Sequence, residues 1–445
     1  MNKNIHRLIE HTATRQMSFY ANFVFRGITA FGQLCLIWFV GRFVGASALG
    51  LMVLNLACIT LLSVLVNLGH NIATMRQFAL DPHSQKSYRL LFRSAITVAL
   101  ISFVASTFLA ISSNEFFDLV ALDFAERKVS QLYIYCIFPA SMTLLLSGFL
   151  KGVGQASAAI LSDIGVVSFS SVVLLLIYSS ISGGREVTDS MAAYAIIGSY
   201  WLVFFASLAN FFRGLPRLGN NKHSMGIAEG EWGLHCRTAA RLLVVNLAEI
   251  ANATIPLIII GSLVSNESLA GFRVAERVAT LISFGLVVAN ITLPAAIGSA
   301  ISTGNRQGIQ DALKSGSKKA CLVGIVIAIP LLLFPTYILS NLGVELINSI
   351  YILYILMFAQ IVNMVTGPTL LTLKISEHTK FVAIWSGITS ILYIAFLPIS
   401  INYFGILGAA ILSCMNIVTY NVVSVLYLNM AFGVLAIPFT RRKIK

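Results

Sequence analysis

The chain has 445 residues, of which 57% are hydrophobic and only 11% are charged, and its net charge is +13. This composition, with a mean hydropathy of +0.86, excludes a water-soluble globular protein and is typical of a chain surrounded by lipid. The basic excess is spread over many short segments and forms no basic, aromatic-rich domain, so we expect no nucleic-acid partner.

Twelve apolar runs follow one another along the sequence. Each reaches the length of about 20 residues that an α-helix needs to cross about 30 Å of hydrocarbon. We therefore predict an all-α integral membrane protein with about twelve transmembrane helices, preceded by a cytoplasmic lead-in at 1–17 and followed by a basic cytoplasmic tail at 433–445. The runs lie at about 18–40, 44–68, 90–112, 130–150, 157–179, 190–212, 238–264, 269–299, 318–340, 347–373, 380–400 and 404–432.

Lysines and arginines concentrate in every second gap between these runs. The alternate gaps hold only Arg42, Arg127, Lys128 and Arg185. Short loops rich in positive charge stay on the cytoplasmic side of a membrane. Both termini are therefore predicted to be cytoplasmic.

A weak internal repeat divides the twelve runs into two sets of six. The segment 40–50 resembles 260–271, and the turn 150–155 resembles 373–378, in each case about 220 residues later. Because six is an even number, both sets begin on the same side, which predicts a pseudo-two-fold axis along the membrane normal and a central cavity. The predicted layout is an N-terminal six-helix bundle at 18–212, a cytoplasmic linker at 213–237 and a C-terminal six-helix bundle at 238–432.

Several short motifs follow one another in a recognisable order. They are Gly41-Arg42-Phe43-Val44-Gly45 with Leu49-Gly50, Asn67-Leu68-Gly69 with Arg76, the segment from Ala270 to Arg277, Pro294, and the segment from Phe404 to Ala410. In these motifs the chain resembles the O-antigen-type (Wzx-like) oligosaccharide and polysaccharide flippases of the multidrug/oligosaccharidyl-lipid/polysaccharide exporter (MOP) superfamily. The resemblance covers nearly the whole chain.

This resemblance implies passage of a polyprenyl-diphosphate-linked oligosaccharide from the cytoplasmic to the outer leaflet of a bacterial inner membrane. The implied partners are this cargo, membrane lipids, a polysaccharide polymerase and a chain-length regulator. The sequence contains no phosphate-binding loop, so transport by a secondary carrier without a cofactor is expected. The histidines show no metal-ligand spacing, and no metal is expected.

Charged side chains inside the apolar runs are the candidate functional residues. A charge at the centre of a spanning helix costs about 2.5–3.5 kcal/mol, so it normally faces a partner or a wet cavity. We assign Arg26, Arg241, Arg273, Arg277 and Asn246 to substrate binding, and Glu249 and Asp163 to ion coupling. Arg26 fits the cargo diphosphate, with an ion pair to Glu249 or Asp163 as the alternative.

Two polar patterns leave alternatives open. Arg273 and Arg277 are four residues apart on one helical face, with Glu276 three residues after Arg273, which fits either a local salt bridge or attraction of an anion toward the exit side. A stripe of Gln360, Asn363 and Thr366 is expected to join helices rather than to contact sugars.

Two other functions compete with this hypothesis. A multidrug or cation antiporter of the same superfamily would favour a carboxylate-rich cavity, whereas arginines outnumber acids here. A membrane polysaccharide polymerase or glycosyltransferase would need a larger outer loop than the segment 113–129.

Overall fold

The computed structural model describes residues 27–29, 31–80, 85–112, 124–153, 155–162, 164–181, 187–214, 229–293, 297, 300–301, 303–343, 346–376 and 378–434. Every regular element within these ranges is a helix. The all-α prediction is confirmed for this part of the chain.

Short 3-10 turns, Ile134–Cys136 and Leu281–Ser283, each connect two consecutive α-helices. In chain order the helices are α1 (Gly27–Phe43), α2 (Ala46–Asn67), α3 (His70–Leu80), α4 (Gln85–Ile111), α5 (Phe124–Tyr133), α6 (Ile137–Gly152), α7 (Ala156–Ile160), α8 (Ile164–Ile181), α9 (Asp189–Gly214), α10 (Glu229–Ala253), α11 (Ile255–Leu263), α12 (Asn266–Thr280), α13 (Phe284–Thr292), α14 (Arg306–Leu333), α15 (Pro335–Asn341), α16 (Leu346–Thr366), α17 (Thr369–Ile375) and α18 (Thr379–Phe432).

Within the described ranges, seven helical segments are long and apolar enough to cross a bilayer. Two further apolar helices, Gly27–Phe43 and Gly165–Ile181, are shorter. The chain is therefore a multi-pass membrane protein, and the count of twelve spans stays a prediction. The seven segments are Ala46–Asn67, Gln85–Ile111, Glu126–Gly152, Asp189–Arg213, Arg306–Leu333, Asn348–Thr366 and Lys380–Phe432.

The longest helix, α18, consists of two arms that meet at Gly405. The φ of 59° and ψ of −149° at Gly405 are not helical, and this conformation is essentially restricted to glycine. Ser400 Oγ donates a 2.9 Å hydrogen bond to the carbonyl oxygen of Gly408 across the junction. Each arm rises about 39 Å at 1.5 Å per residue, so each is long enough for one of the two spans predicted here.

The predicted run 238–264 is divided in the structure. α10 ends at Ala253 and α11 begins at Ile255, because Pro256 has no N–H to bond to the preceding turn and its ring disturbs that turn. α10 also begins at Glu229, so helix extends into the segment that the sequence favours as a linker.

The chain forms two compact units. Unit 1 contains the described residues up to Val44 and those of Leu54–Thr254. Its helices α3 and α6 approach so closely that a Cβ atom at Gly148 would clash with the backbone of Asn71. The buried rings of Phe78 and Phe149 meet edge to face, with centroids 4.8 Å apart. These contacts fix the short helix α3 against the core of unit 1.

Unit 2 contains Gly45–Val53 and the described residues of Ile255–Lys445. Its helix α12 packs along α16, where a Cβ atom at Gly271 would clash with Ser349 Oγ. α16 in turn packs along α18. The bundle boundaries and the two-fold axis that the sequence suggests stay predictions.

Candidate functional site

For five of the candidate residues, the structure does not describe the side chain. Arg26 and Asp163 lie outside the described residues. Arg241, Asn246 and Glu249 lie on α10, of which the structure describes the backbone but not these three side chains. Their roles stay predictions.

The other two candidates, Arg273 and Arg277, lie on α12. The start of this helix is fixed by Ser265, whose Oγ accepts a 3.3 Å hydrogen bond from the N–H of Ser268. Arg273 Nη1 lies 2.6 Å from Glu276 Oε2. The local salt bridge that the three-residue spacing predicts is therefore present.

Arg273, Glu276 and Arg277 together form what we call the α12 cluster, with two guanidinium groups and one carboxylate. The paired Arg273 side chain is only 18% exposed. A guanidinium has five N–H donors, so a bond to one carboxylate leaves others for a second acceptor. The cluster can thus hold Arg273 in place and still attract an anion. Binding of an anionic cargo here stays a prediction.

The predicted run 347–373 is broken at Gly367 and Pro368, between α16 and α17. Gly367 has a φ of 64°, and Pro368 supplies no N–H to the helix. The N–H of Gly367 donates to the carbonyl of Met364 at 3.1 Å, and the N–H of Thr369 donates to the carbonyl of Gly367 at 2.8 Å. Irregular backbone at membrane depth is tolerated where it is buried in protein or lines a cavity.

Two buried threonines pair the carbonyls at this break. Thr366 Oγ1 donates a 2.8 Å hydrogen bond to the carbonyl oxygen of Asn363. Thr369 Oγ1 donates a 2.6 Å hydrogen bond to the carbonyl oxygen of Thr366. The carbonyls of Asn363 and Thr366 therefore each have a hydrogen-bond partner at the break.

A cavity of about 170 Å³ lies beside the break, inside unit 2. We call it the amide cavity because Asn290 of α13, Asn363 of α16 and Asn421 of α18 contribute its polar wall. No charged side chain is among the described residues that line it. The rest of the wall is Ser283, Leu286, Val287, Gly367, Pro368, Leu370 and Leu371.

The polar stripe on α16 has two roles. Thr366 Oγ1 lies 3.4 Å from Asn421 Oδ1, which is the contact between helices expected for the stripe. Asn363 Nδ2 donates to Gln360 Oε1 at 3.2 Å, and the Asn363 side chain also lines the amide cavity. The sequence predicts a contact between helices for Asn363 rather than a place in a cavity wall, and it predicts no role for Asn290 or Asn421.

A second polar group, the histidine cluster, lies in unit 1, where the start of α10 packs on α3 and α4. Ser94 Oγ is 3.1 Å from both His70 Nδ1 and His235 Nε2. The rings of His70, Trp232 and His235 stack with centroids 5.4–5.6 Å apart. A single hydroxyl has one proton, so at least one imidazole donates its N–H to Ser94.

The surroundings of the histidine cluster disfavour the charged form of both imidazoles. Burial, and then the charge of His235, lower the pKa of His70 to about 4, and burial lowers the pKa of His235. Lys86 Nζ pairs with Glu231 Oε1 at 2.7 Å nearby. Among the described residues no three His, Cys, Asp or Glu side chains are grouped so that they could hold a metal ion.

The sequence contains only partial signals for the break at Gly367 and for the histidine cluster, neither of which it predicts. Gly367-Pro368 inside an apolar run is a recognised signal for an interrupted membrane helix. No comparable signal joins His70 to His235, because their contact depends on how distant segments pack.

The fold has known counterparts, although no protein-family model and no curated protein matches the sequence. A multidrug resistance MATE family transporter of the MOP superfamily, in an inward-facing conformation, has a TM-score of 0.71 at 15% identity, over 93% of this chain and 96% of its own. The lipid II flippase MurJ, in an inward closed conformation, has a TM-score of 0.67 at 13% identity, over 93% of this chain and 87% of its own. A MOP superfamily transporter from Pyrococcus furiosus has a TM-score of 0.62 at 15% identity, over 93% of this chain and 94% of its own.

At these identities the likeness concerns the fold. The chain has the fold of MOP superfamily transporters over nearly its whole length. The fold that the resemblance to the MOP superfamily implies is therefore confirmed. The likeness to these structures does not test the O-antigen-type specificity.

Proposed function

We propose that this chain is a secondary transporter that flips a polyprenyl-diphosphate-linked oligosaccharide from the cytoplasmic to the outer leaflet, for polysaccharide or O-antigen synthesis. The observation that carries the proposal is the shared fold over 93% of the chain with the lipid II flippase. That protein's name shows that the fold is compatible with moving a lipid-linked molecule.

The proposed architecture is the one suggested by the sequence. It has about twelve helices in two six-helix bundles, with a central cavity and both termini in the bacterial cytoplasm. Alternating access between the bundles would carry the cargo. Glu249 and Asp163 are the proposed ion-coupling residues, and a polymerase and a chain-length regulator are the proposed partners.

The charges of the candidate residues favour an anionic cargo. The α12 cluster carries two guanidinium groups and one carboxylate, and Arg26 and Arg241 add two more cations in the sequence. Guanidinium groups donate two parallel hydrogen bonds to phosphate, and such charge-assisted bonds contribute about 1.5–3 kcal/mol each. A diphosphate headgroup is the part of the cargo that these residues would bind.

A multidrug antiporter is the second candidate, because the MATE family transporter has the higher TM-score of 0.71. A multidrug antiporter must attract a cationic drug, whereas the proposed flippase must attract an anionic lipid headgroup. A cationic drug would be repelled by the α12 cluster. Transport of a cationic dye by the reconstituted protein, without transport of the lipid-linked sugar, would favour the antiporter.

The test is the leaflet distribution of lipid-linked oligosaccharide in cells with and without the gene. We expect deletion to strand the sugar on the cytoplasmic leaflet, where an added glycosidase outside the cell does not reach it. Normal delivery to the outer leaflet in the deletion strain would refute the proposal.

The role of the arginines is tested by the triple variant Arg26→Gln, Arg273→Gln and Arg277→Gln. We expect at least about tenfold slower flipping, since three charge-assisted contacts are lost. The matched control removes three exposed positive charges on α14, with the substitutions Arg306→Gln, Lys318→Gln and Lys319→Gln. Equal flipping by the two triple variants would show that the arginines do not bind the cargo.

A further inference from the structure

The amide cavity is suited to an uncharged polar ligand. Its three asparagines offer both N–H donors and carbonyl acceptors, and no charged group among the described lining residues would bind an ion. The other lining residues include the apolar Leu286, Leu370 and Leu371. A ring with hydroxyl groups at its edge and C–H groups on its face matches this mixture of amide and apolar side chains.

The amides of this cavity are not all used by the protein. Asn421 is held in place, since its Nδ2 donates to the carbonyl of Ile417 at 2.9 Å and its Oδ1 lies 3.4 Å from Thr366 Oγ1. Asn363 uses its Nδ2 on Gln360, which leaves its Oδ1 without a partner among the described residues. Asn290 is exposed, and its amide has no hydrogen-bond partner within the same ranges.

The volume of the cavity is suited to a single ring of a ligand. A cavity of about 150 Å³ accommodates benzene, whereas sites for drug-sized ligands have about 300–1,000 Å³. At about 170 Å³, the amide cavity has room for one six-membered ring. A whole oligosaccharide does not fit.

The position of the cavity beside a broken helix is an independent observation. Interrupted helices with Gly or Pro mark substrate sites in membrane transporters, because their backbone cannot continue the helical hydrogen bonds. Here the break at Gly367 and Pro368 is itself part of the cavity wall. The two threonine hydroxyls that pair its carbonyls keep the break stable without filling the cavity.

From these observations we infer that the amide cavity binds one neutral sugar ring of the cargo, an inference that rests on the proposed flippase function. Asn290 and Asn363 are the residues that hydrogen-bond the ring hydroxyls, and Asn421 is a positioning residue that holds the wall. The cavity thus recognises the sugar, whereas the arginines would bind the diphosphate.

The test compares two lipids on the purified, reconstituted protein: the lipid-linked oligosaccharide of the source cells, and polyprenyl diphosphate without sugar. We expect the double variant Asn290→Ala and Asn363→Ala to bind the sugar-bearing lipid about tenfold more weakly, since two or more neutral hydrogen bonds are lost. Its affinity for the sugar-free lipid should equal that of the wild type. Asn341→Ala, which removes an exposed amide of unit 2 outside the cavity, should change neither affinity.

A double variant that retains the full preference for the sugar-bearing lipid would overturn the inference and leave the flippase proposal intact. A wild-type protein that binds and flips neither lipid would refute the flippase proposal itself. If the double variant does not fold, Asn290→Leu alone at the exposed position replaces it, with the same expected loss of sugar preference.

The variant Asn363→Asp separates a sugar from a cation as the occupant. A carboxylate here would strengthen binding of a monovalent cation such as Na⁺, measured as sodium-dependent thermal stability of the protein. We expect no sodium-dependent shift in the wild type or in Asn363→Asp. A sodium-dependent shift in the wild type that grows in Asn363→Asp would overturn the sugar assignment.

Discussion

Acidification should detach the start of α10 from unit 1, because the histidine cluster must remain neutral to stay packed. His70 is 3% exposed and His235 7% exposed, and both contact the hydroxyl of Ser94. A proton on either ring would place a charge in this buried stack. Arg93 of α4, whose guanidinium lies 6.0 Å from the Trp232 ring, would add repulsion.

The size of the effect follows from the pKa of His70, which burial and His235 lower from 6.5 to about 4. Between pH 6.5 and pH 4 the detached state binds more protons than the packed state, so packing weakens as the pH falls through this window and is unaffected above it. A difference of about 2.5 pKa units corresponds to about 3 kcal/mol at 1.36 kcal/mol per unit. The lowered pKa of His235 acts in the same direction.

The assay is the fluorescence of Trp232 as the only tryptophan, after Trp38, Trp201 and Trp385 are replaced by Phe. Detachment moves the indole from the ring stack into water, which shifts its emission to longer wavelength. We expect a constant spectrum above about pH 6.5 and a shift of the emission to longer wavelength as the pH falls from 6.5 towards about 4, the lowered pKa of His70.

The control replaces His70 and His235 by Phe, which retains stacked rings and removes the titrating groups. Its spectrum should not change over the same pH range. A wild-type midpoint near pH 6.5 would show that the histidines titrate as exposed groups, and a transition that persists in the control would assign it to another group. Either result refutes the reasoning.

Two glycine substitutions, each with a matched control, test the backbone conformation at Gly405 and the close helix contact at Gly148. The measurement is thermal unfolding in detergent. Gly405→Ala should lower the stability by about 1–3 kcal/mol, because Gly405 has a backbone conformation restricted to glycine, whereas Gly387→Ala in the same helix meets open space and should be neutral or slightly stabilising. Gly148→Ala should cost about 1–3 kcal/mol, because its Cβ would clash with the backbone of Asn71. Gly198→Ala, where the nearest side-chain atom is 3.4 Å away, should change little. Equal midpoints within a pair would contradict the structure.

The sequence predicts the helical class well because lipid leaves the backbone no other partner for its hydrogen bonds. The apolar run at 404–432, for example, appears as the second arm of α18, which begins after Gly405. The salt bridge of Arg273 to Glu276 was also predictable, since it joins residues one turn apart on one helix.

The sequence does not predict contacts between distant segments. His70 and His235 belong to helices that pack together only in the folded chain, where a Cβ atom at Gly69 would clash with the backbone of Ala239. Hydrophobicity alone also hides the break at Gly367, because apolar residues continue on both sides of the short segment 366–369. Its signal is the local backbone chemistry of glycine and proline.

Unit 2 contains guanidinium groups on α12 and amide groups in the amide cavity, and these two kinds of polar group have different consequences for selectivity. Guanidinium groups attract any phosphorylated lipid through charge, so they provide affinity with little discrimination between sugars. Amide groups in a small neutral cavity distinguish ligands by the position of hydroxyl groups, because each unmatched buried polar atom costs about 1–3 kcal/mol. A transporter with only the first kind would flip sugar-free and sugar-bearing lipids alike. Loss of discrimination without loss of basal binding is therefore the expected behaviour of amide variants, whereas weaker binding of both lipids with the sugar preference retained is the expected behaviour of arginine variants.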